Sequence, residues 1–111
     1  MDSIESQQQK LTRVVSEVGA AMHRRARGEW GKVRTARRNL GDRHVWRFRT
    51  GAGEPDRFLM LSHQSMTSGD NPAAAVLAQL DKADWLNRMQ AGPETVFRLS
   101  SGGGLRARPA A

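Results

Sequence analysis

Ser62 and His63 are the first pair to weigh for chemistry, because a hydroxyl beside an imidazole is the minimal unit of nucleophilic catalysis. Their spacing speaks against it. Neighbours in an extended strand point to opposite faces, so the base cannot reach the nucleophile, and Ser65 is only a looser partner for His63. His44 and His63 with Asp42, Glu54 or Asp56 carry metal-ligating atoms, but no ligand spacing joins them. Pro55-Asp56 is like the start of a nuclease carboxylate motif, yet no Glu-x-Lys follows in the next strand. The glycines at 51, 53 and 102 to 104 lack the Gly-Lys-Ser/Thr ending that a phosphate-cradling loop requires. Cysteine is absent, which excludes thiol catalysis, zinc–thiolate sites and disulfides. The expectation is a non-catalytic protein with no metal and no cofactor.

What remains is charge. The 111 residues include 18 Lys or Arg against 11 Asp or Glu, a net +7, and fifteen of the basic residues are Arg. Residues 23–49 hold ten of these cations against only Glu29 and Asp42, a net +8, so the rest of the chain sums to −1. Cations gathered within about 10 Å of one another, the Debye length at 0.1 M salt, attract phosphate as a group. The competing account is that long Arg side chains cover apolar surface with their stems and keep their heads hydrated. Arg24, Arg25 and Arg27 have a simpler role at a helix C-terminus, where cations complement the dipole.

These residues need elements to hold them. Asp2 and Glu5 form a capping-box-like start to a first helix, whose apolar residues Ile4, Leu11, Val15, Val18 and Met22 line one stripe. Gly28 and Gly31 lower helical propensity, and the helix is expected to end near Arg25. From Lys32 the pattern has period two. A four-residue loop Asn39-Leu40-Gly41-Asp42 would set Val33 opposite Phe48 and Thr35 opposite Trp46 on one face. The other face would pair Lys32 with Arg49, Arg34 with Arg47, and Arg38 with Arg43. A turn over Thr50 to Asp56 leads to a third strand, Arg57 to His63, placing Phe58 against Phe48 and Met60 against Trp46. Arg57 would then extend the basic cluster, with Ala36, Val45 and Leu61 as an apolar strip beside it.

A second helix is capped by Asn71, with Pro72 in its first position and Ala73, Val76, Leu77 and Leu80 on one side. Trp85, Leu86 and Met89 fall on the far side of that stripe, which predicts a kink near Asp81 to Asp84. Gly92-Pro93 stops the helix; Thr95 to Ser100 and Leu105 to Arg108 then read as a C-terminal hairpin around Ser101 to Gly104. Residues 1–111 make one small α+β domain with both ends, 1–3 and 109–111, frayed. Its helices pack on one face of the sheet. No apolar run long enough to span a membrane occurs and no leader is visible, which gives a cytoplasmic expectation.

The order helix, three strands, helix over about residues 3 to 90 is similar in topology to double-stranded-RNA-binding domains. Those domains place basic residues at the start of the second helix, where this chain has Asp70, Asn71 and Pro72, so the likeness does not extend to their binding motif. Cross-strand like charges destabilise a sheet by up to about 1 kcal/mol per pair, so the basic face must splay into water, recruit acids or bind an anion. The functional expectation is nucleic-acid or other polyanion binding by Lys32, Arg34, Arg38, Arg43, Arg47, Arg49 and Arg57. The alternative is a protein-interaction module. It would self-associate, or meet an acidic partner, through the first-helix stripe or through Ala36, Val45 and Leu61.

Overall fold

A computed structural model describes residues 7–51, 55–67, 69–91, 95–99 and 104–109. Ile4, the capping pair Asp2 and Glu5, the stop at Gly92-Pro93, the turn residues 101–103 and the chain ends 1–3 and 110–111 lie outside the described residues. The first helix, α1, runs Gln7–Trp30, past the expected end at Arg25. Tertiary packing explains the extension. Ala26 is fully buried, and Trp30 meets Phe48 and Trp85 edge-on at centroid distances of 5.9 and 6.4 Å. Burying a large apolar side chain yields about 1.5–3 kcal/mol, more than the roughly 1 kcal/mol that Gly28 takes from helix propensity. Gly31 ends the helix in the left-handed region (φ 81°), its N–H donating to the Arg27 carbonyl at 3.0 Å.

Strands β1 (Arg34–Asn39), β2 (Arg43–Arg49) and β3 (Arg57–Ser62) form the antiparallel meander, each in a register different from the expected one. In the β1–β2 hairpin Asn39 pairs with His44, with residues 40–43 between the paired positions. Gly41 makes this tight turn possible at φ 101°, and its N–H donates to Asn39 Oδ1. The pairing therefore moves by two residues, which keeps every side chain on its expected face. It also separates the like charges: Arg47 lies opposite Ala36 and Arg38 opposite Val45, so within this hairpin only Arg34 and Arg49 come to be directly opposed. None of the three expected repulsive pairs forms, and a single different one replaces them in this hairpin.

The β2–β3 register differs by one, which turns β3 over. Arg57 pairs with Phe48 and Phe58 with Arg47, so Leu59 and Leu61 enter the core fully buried while Phe58 and Met60 are half-exposed on the opposite side. Two expected site residues are corrected by this. Leu61 does not belong to a surface strip, and Arg57 does not lie on the basic face but is buried under the helices at 8% exposure. The cause is a strand, Arg-Phe-Leu-Met-Leu-Ser, with apolar residues at both parities, whose pattern cannot choose a face.

Helix α2 (Pro72–Lys82) begins at Asn71, whose side chain accepts from the Ala74 N–H. As expected it breaks at Ala83-Asp84, where Asp84 takes φ 57°, and α3 (Trp85–Ala91) follows. Strands β4 (Thr95–Leu99) and β5 (Leu105–Pro109) form the C-terminal hairpin. Here the fold exceeds the sequence reading: β4 pairs in parallel with β3, through the α2–α3 crossover, and joins meander and hairpin into one five-stranded sheet ordered β1-β2-β3-β4-β5. The core contains Val14, Val15, Val18 and Met22 of α1, Val76 and Leu80 of α2, and Trp85 and Met89 of α3. Against these pack Trp46, Phe48, Leu59, Leu61, Phe97, Leu99 and Leu105 from the sheet. The helices share that one side. No helix among the described residues is long and apolar enough to cross a membrane.

Candidate nucleic-acid interface

Because side chains alternate along a strand, placing Trp46, Phe48, Leu59, Leu61 and Phe97 under the helices sends the intervening residues to the other side. One row across that open face reads Ala36, Arg47, Phe58, Val96, and the next Arg38, Val45, Met60, Arg98, Arg106. Arg34 and Arg49 form a further pair at one end, and Arg43 stands beside Ser62 at the other. All seven arginines are exposed, while Val45, Phe58, Met60 and Val96 are half-buried. At about 4.8 Å per strand the face is roughly 19 Å wide. It is an apolar centre with guanidinium groups along both flanks.

The charges on this face are largely uncompensated. Arg49 is the exception: it grips Asp56 through two parallel hydrogen bonds of 2.9 and 3.1 Å. That bond holds the Asp56 carboxyl below its usual range, with desolvation opposing and the Arg49 and Arg47 charges assisting. It also raises the Arg49 guanidinium above its ordinary value. Arg43 lies 3.7 Å from Asp42, whose side chain is itself 80% exposed, a contact of little strength. Among the described residues, Arg34, Arg38, Arg47, Arg98 and Arg106 have no ion-pair partner within 4 Å.

Of the basic residues singled out from the sequence, Arg34, Arg38, Arg43, Arg47 and Arg49 share this face, and Lys32 is exposed just ahead of β1. Sequence reasoning missed Arg98 and Arg106, because only the parallel β3–β4 pairing brings the C-terminal hairpin alongside. It also assigned Phe58 and Met60 to the core. The alternation of Val96 and Arg98 with buried Phe97 and Leu99 was the available signal. Of the interaction candidates, Ala36 and Val45 lie on the open face. Val15, Val18 and Met22 are buried against the chain's own sheet, with Leu11 half-buried beside them. Arg25 reaches Asp81 at 3.2 Å, tying α1 to α2, while Arg24 and Arg27 are exposed.

The histidines sit on the other side. His44 is 3% exposed, its ring 4.8 Å from that of His63, and its Nδ1 accepts from Arg37 NH1 at 3.2 Å. Burial, then the charge of Arg37, then His63 lower its pKa to about 4, so the ring is neutral at pH 7. Ser62 and Ser65 bond each other at 2.7 Å. His63 Nε2 is buried without a hydrogen-bond partner among the described residues. No group of three or more His, Asp or Glu among the described residues is placed to hold a metal ion. Comparison with protein-family models, with curated proteins and with solved structures finds no match, so a functional reading rests on the geometry of this sheet face.

Proposed function

We propose that this protein is a non-catalytic nucleic-acid-binding domain that lays a strand across the open face of its sheet. The observation that carries the proposal is the placement of five exposed arginines without ion-pair partners among the described residues, Arg34, Arg38, Arg47, Arg98 and Arg106, around a half-buried apolar centre. A sheet gains nothing from assembling like charges on one face, whereas phosphates neutralise them and release condensed counterions. Phe58 and Met60 offer a polarizable surface for bases to rest on, which suits unstacked, single-stranded segments. A second copy of the chain is a poor occupant, since face-to-face packing would oppose two arrays of guanidinium groups.

Titration of labelled single- and double-stranded oligonucleotides at 50 and 200 mM salt tests this. The expected result is binding that weakens with salt at a log–log slope of about −0.7 per phosphate contact on single strands. Arg47→Ala with Arg98→Ala should weaken it at least tenfold, and both residues are exposed, so folding should survive. Absence of binding at low salt, or an affinity indifferent to the double substitution, refutes the proposal. The half-buried Val45, Phe58, Met60 and Val96 inside an arginine rim also match the anatomy of a protein interface, so an acidic protein partner is the second reading. Capture of an acidic partner through Met60, with no affinity for oligonucleotides, would favour it.

A further inference from the structure

Arg57 is an anomaly within the core. Its residue is 8% exposed, and its guanidinium has no carboxylate partner among the described residues. Buried charges in folded proteins are ordinarily paired and hydrogen-bonded throughout. Here the compensation is partial: the guanidinium carbon lies 5.3 Å from the centre of the Trp30 ring, and NH1 donates to Thr50 Oγ1 at 3.2 Å. Among the described residues no acceptor meets the buried Arg57 Nε or the buried Trp30 Nε1.

Thr50 carries the consequence outward. A hydroxyl that accepts from a guanidinium still has its own proton to give. Thr50 lines a cavity of about 390 Å³ at the end of the sheet, where β1 begins and β2 finishes, together with Lys32, Arg34, Arg49 and Gly51. Among the described residues no acid lines this cavity, and Asp56 is held on Arg49. With Arg49 held by Asp56, two unpaired cations, Lys32 and Arg34, and the Thr50 hydroxyl therefore border a space backed by a further, buried cation, Arg57. A singly charged carboxylate would leave most of that charge unmet, whereas a phosphate monoester carries close to two negative charges and three acceptor oxygens. The cavity also lies two residues along each strand, about 7 Å, from the row containing Phe58.

We infer that this cavity is a phosphate-monoester site that takes the terminal phosphate of a nucleic-acid strand laid across the sheet, an assignment of strand end that rests on the function proposed above. Backbone diesters bind the exposed arginines; the terminal monoester binds Lys32, Arg34 and the Thr50 hydroxyl, with Arg57 as the positioning residue behind it.

The experiment compares one single-stranded oligonucleotide with a 5′-phosphate, with a 3′-phosphate and with hydroxyls at both ends. It is paired with a titration of inorganic phosphate followed by ¹H–¹⁵N shifts of Thr50, Gly51 and the Arg57 Nε–H. The expected result is at least tenfold tighter binding of one phosphorylated end, lost in Lys32→Ala with Arg34→Ala and reduced in Thr50→Val. Inorganic phosphate should shift the Arg57 Nε–H resonance, and chloride at equal ionic strength should not. Equal affinity for all three strands overturns the strand-end assignment while leaving the sheet-face function standing. If no strand binds but phosphate moves these resonances, the monoester site holds and its ligand is a free phosphate compound; if phosphate leaves them unmoved, the site is overturned.

Discussion

Acidification from pH 7 should loosen this fold well before its carboxylates titrate, and His44 is the reason. The ring is 3% exposed, and burial, Arg37 and His63 together lower its pKa from 6.5 to about 4. In the unfolded chain the same imidazole regains its ordinary value and takes up a proton first. The native state is thus fully favoured above pH 6.5, loses stability as pH falls below that value, and stops losing it near pH 4. The gap between 6.5 and about 4, at about 1.4 kcal/mol per pH unit, corresponds to a loss of about 3 kcal/mol. Against a typical stability of about 5–15 kcal/mol that is a large fraction. Asp56 acts in the same direction but in a different window: its lowered pKa makes its contribution disappear only below about pH 3.8. Urea unfolding followed by tryptophan fluorescence at pH 7.5, 6.5, 5.5 and 4.5 measures the slope. His44→Gln can still accept from Arg37 but cannot titrate, so its curve should be flatter by most of that amount. A wild-type stability constant from pH 6.5 to 4.5, or an identical slope in the Gln variant, would refute the reasoning.

Two helix glycines should respond with opposite signs to the same substitution. A Cβ on Gly28 meets nothing within 4 Å, so Gly28→Ala should raise the urea midpoint by the equivalent of about 0.5–1 kcal/mol. A Cβ on Gly19 would come within 3.1 Å of Trp46 Nε1, in a ring that is 2% exposed, so Gly19→Ala should lower stability by about 1 kcal/mol despite the better propensity. Asn71→Ala removes the acceptor for the Ala74 N–H and should cost about 1 kcal/mol, visible as a lower Tm with unchanged affinity for any oligonucleotide bound.

Much of the architecture could be read from the chain. The Asn71-Pro72 start of α2, the break near Asp84, the three-strand meander and the C-terminal hairpin all follow from local steric and capping rules, which need no knowledge of distant residues. The basic face was legible too, because a two-residue change of pairing in the β1–β2 hairpin leaves alternation intact: Arg34, Arg38, Arg43, Arg47 and Arg49 stand together as their spacing requires.

What the sequence by itself determined is therefore parity within β1 and β2, and with it the concentration of arginine on one side. Tertiary structure decided the rest of the site. It let Leu59 and Leu61 rather than Phe58 and Met60 fill the space beneath the helices, since a strand apolar at both parities carries no instruction about which side to bury. The same turn drew Arg57 inward against Trp30 and Thr50. Finally, parallel pairing of β4 with β3 brought Arg98 and Arg106 to the far flank, a contact across more than thirty residues that no local pattern encodes, because strand order is fixed by how the α2–α3 crossover covers the shared core.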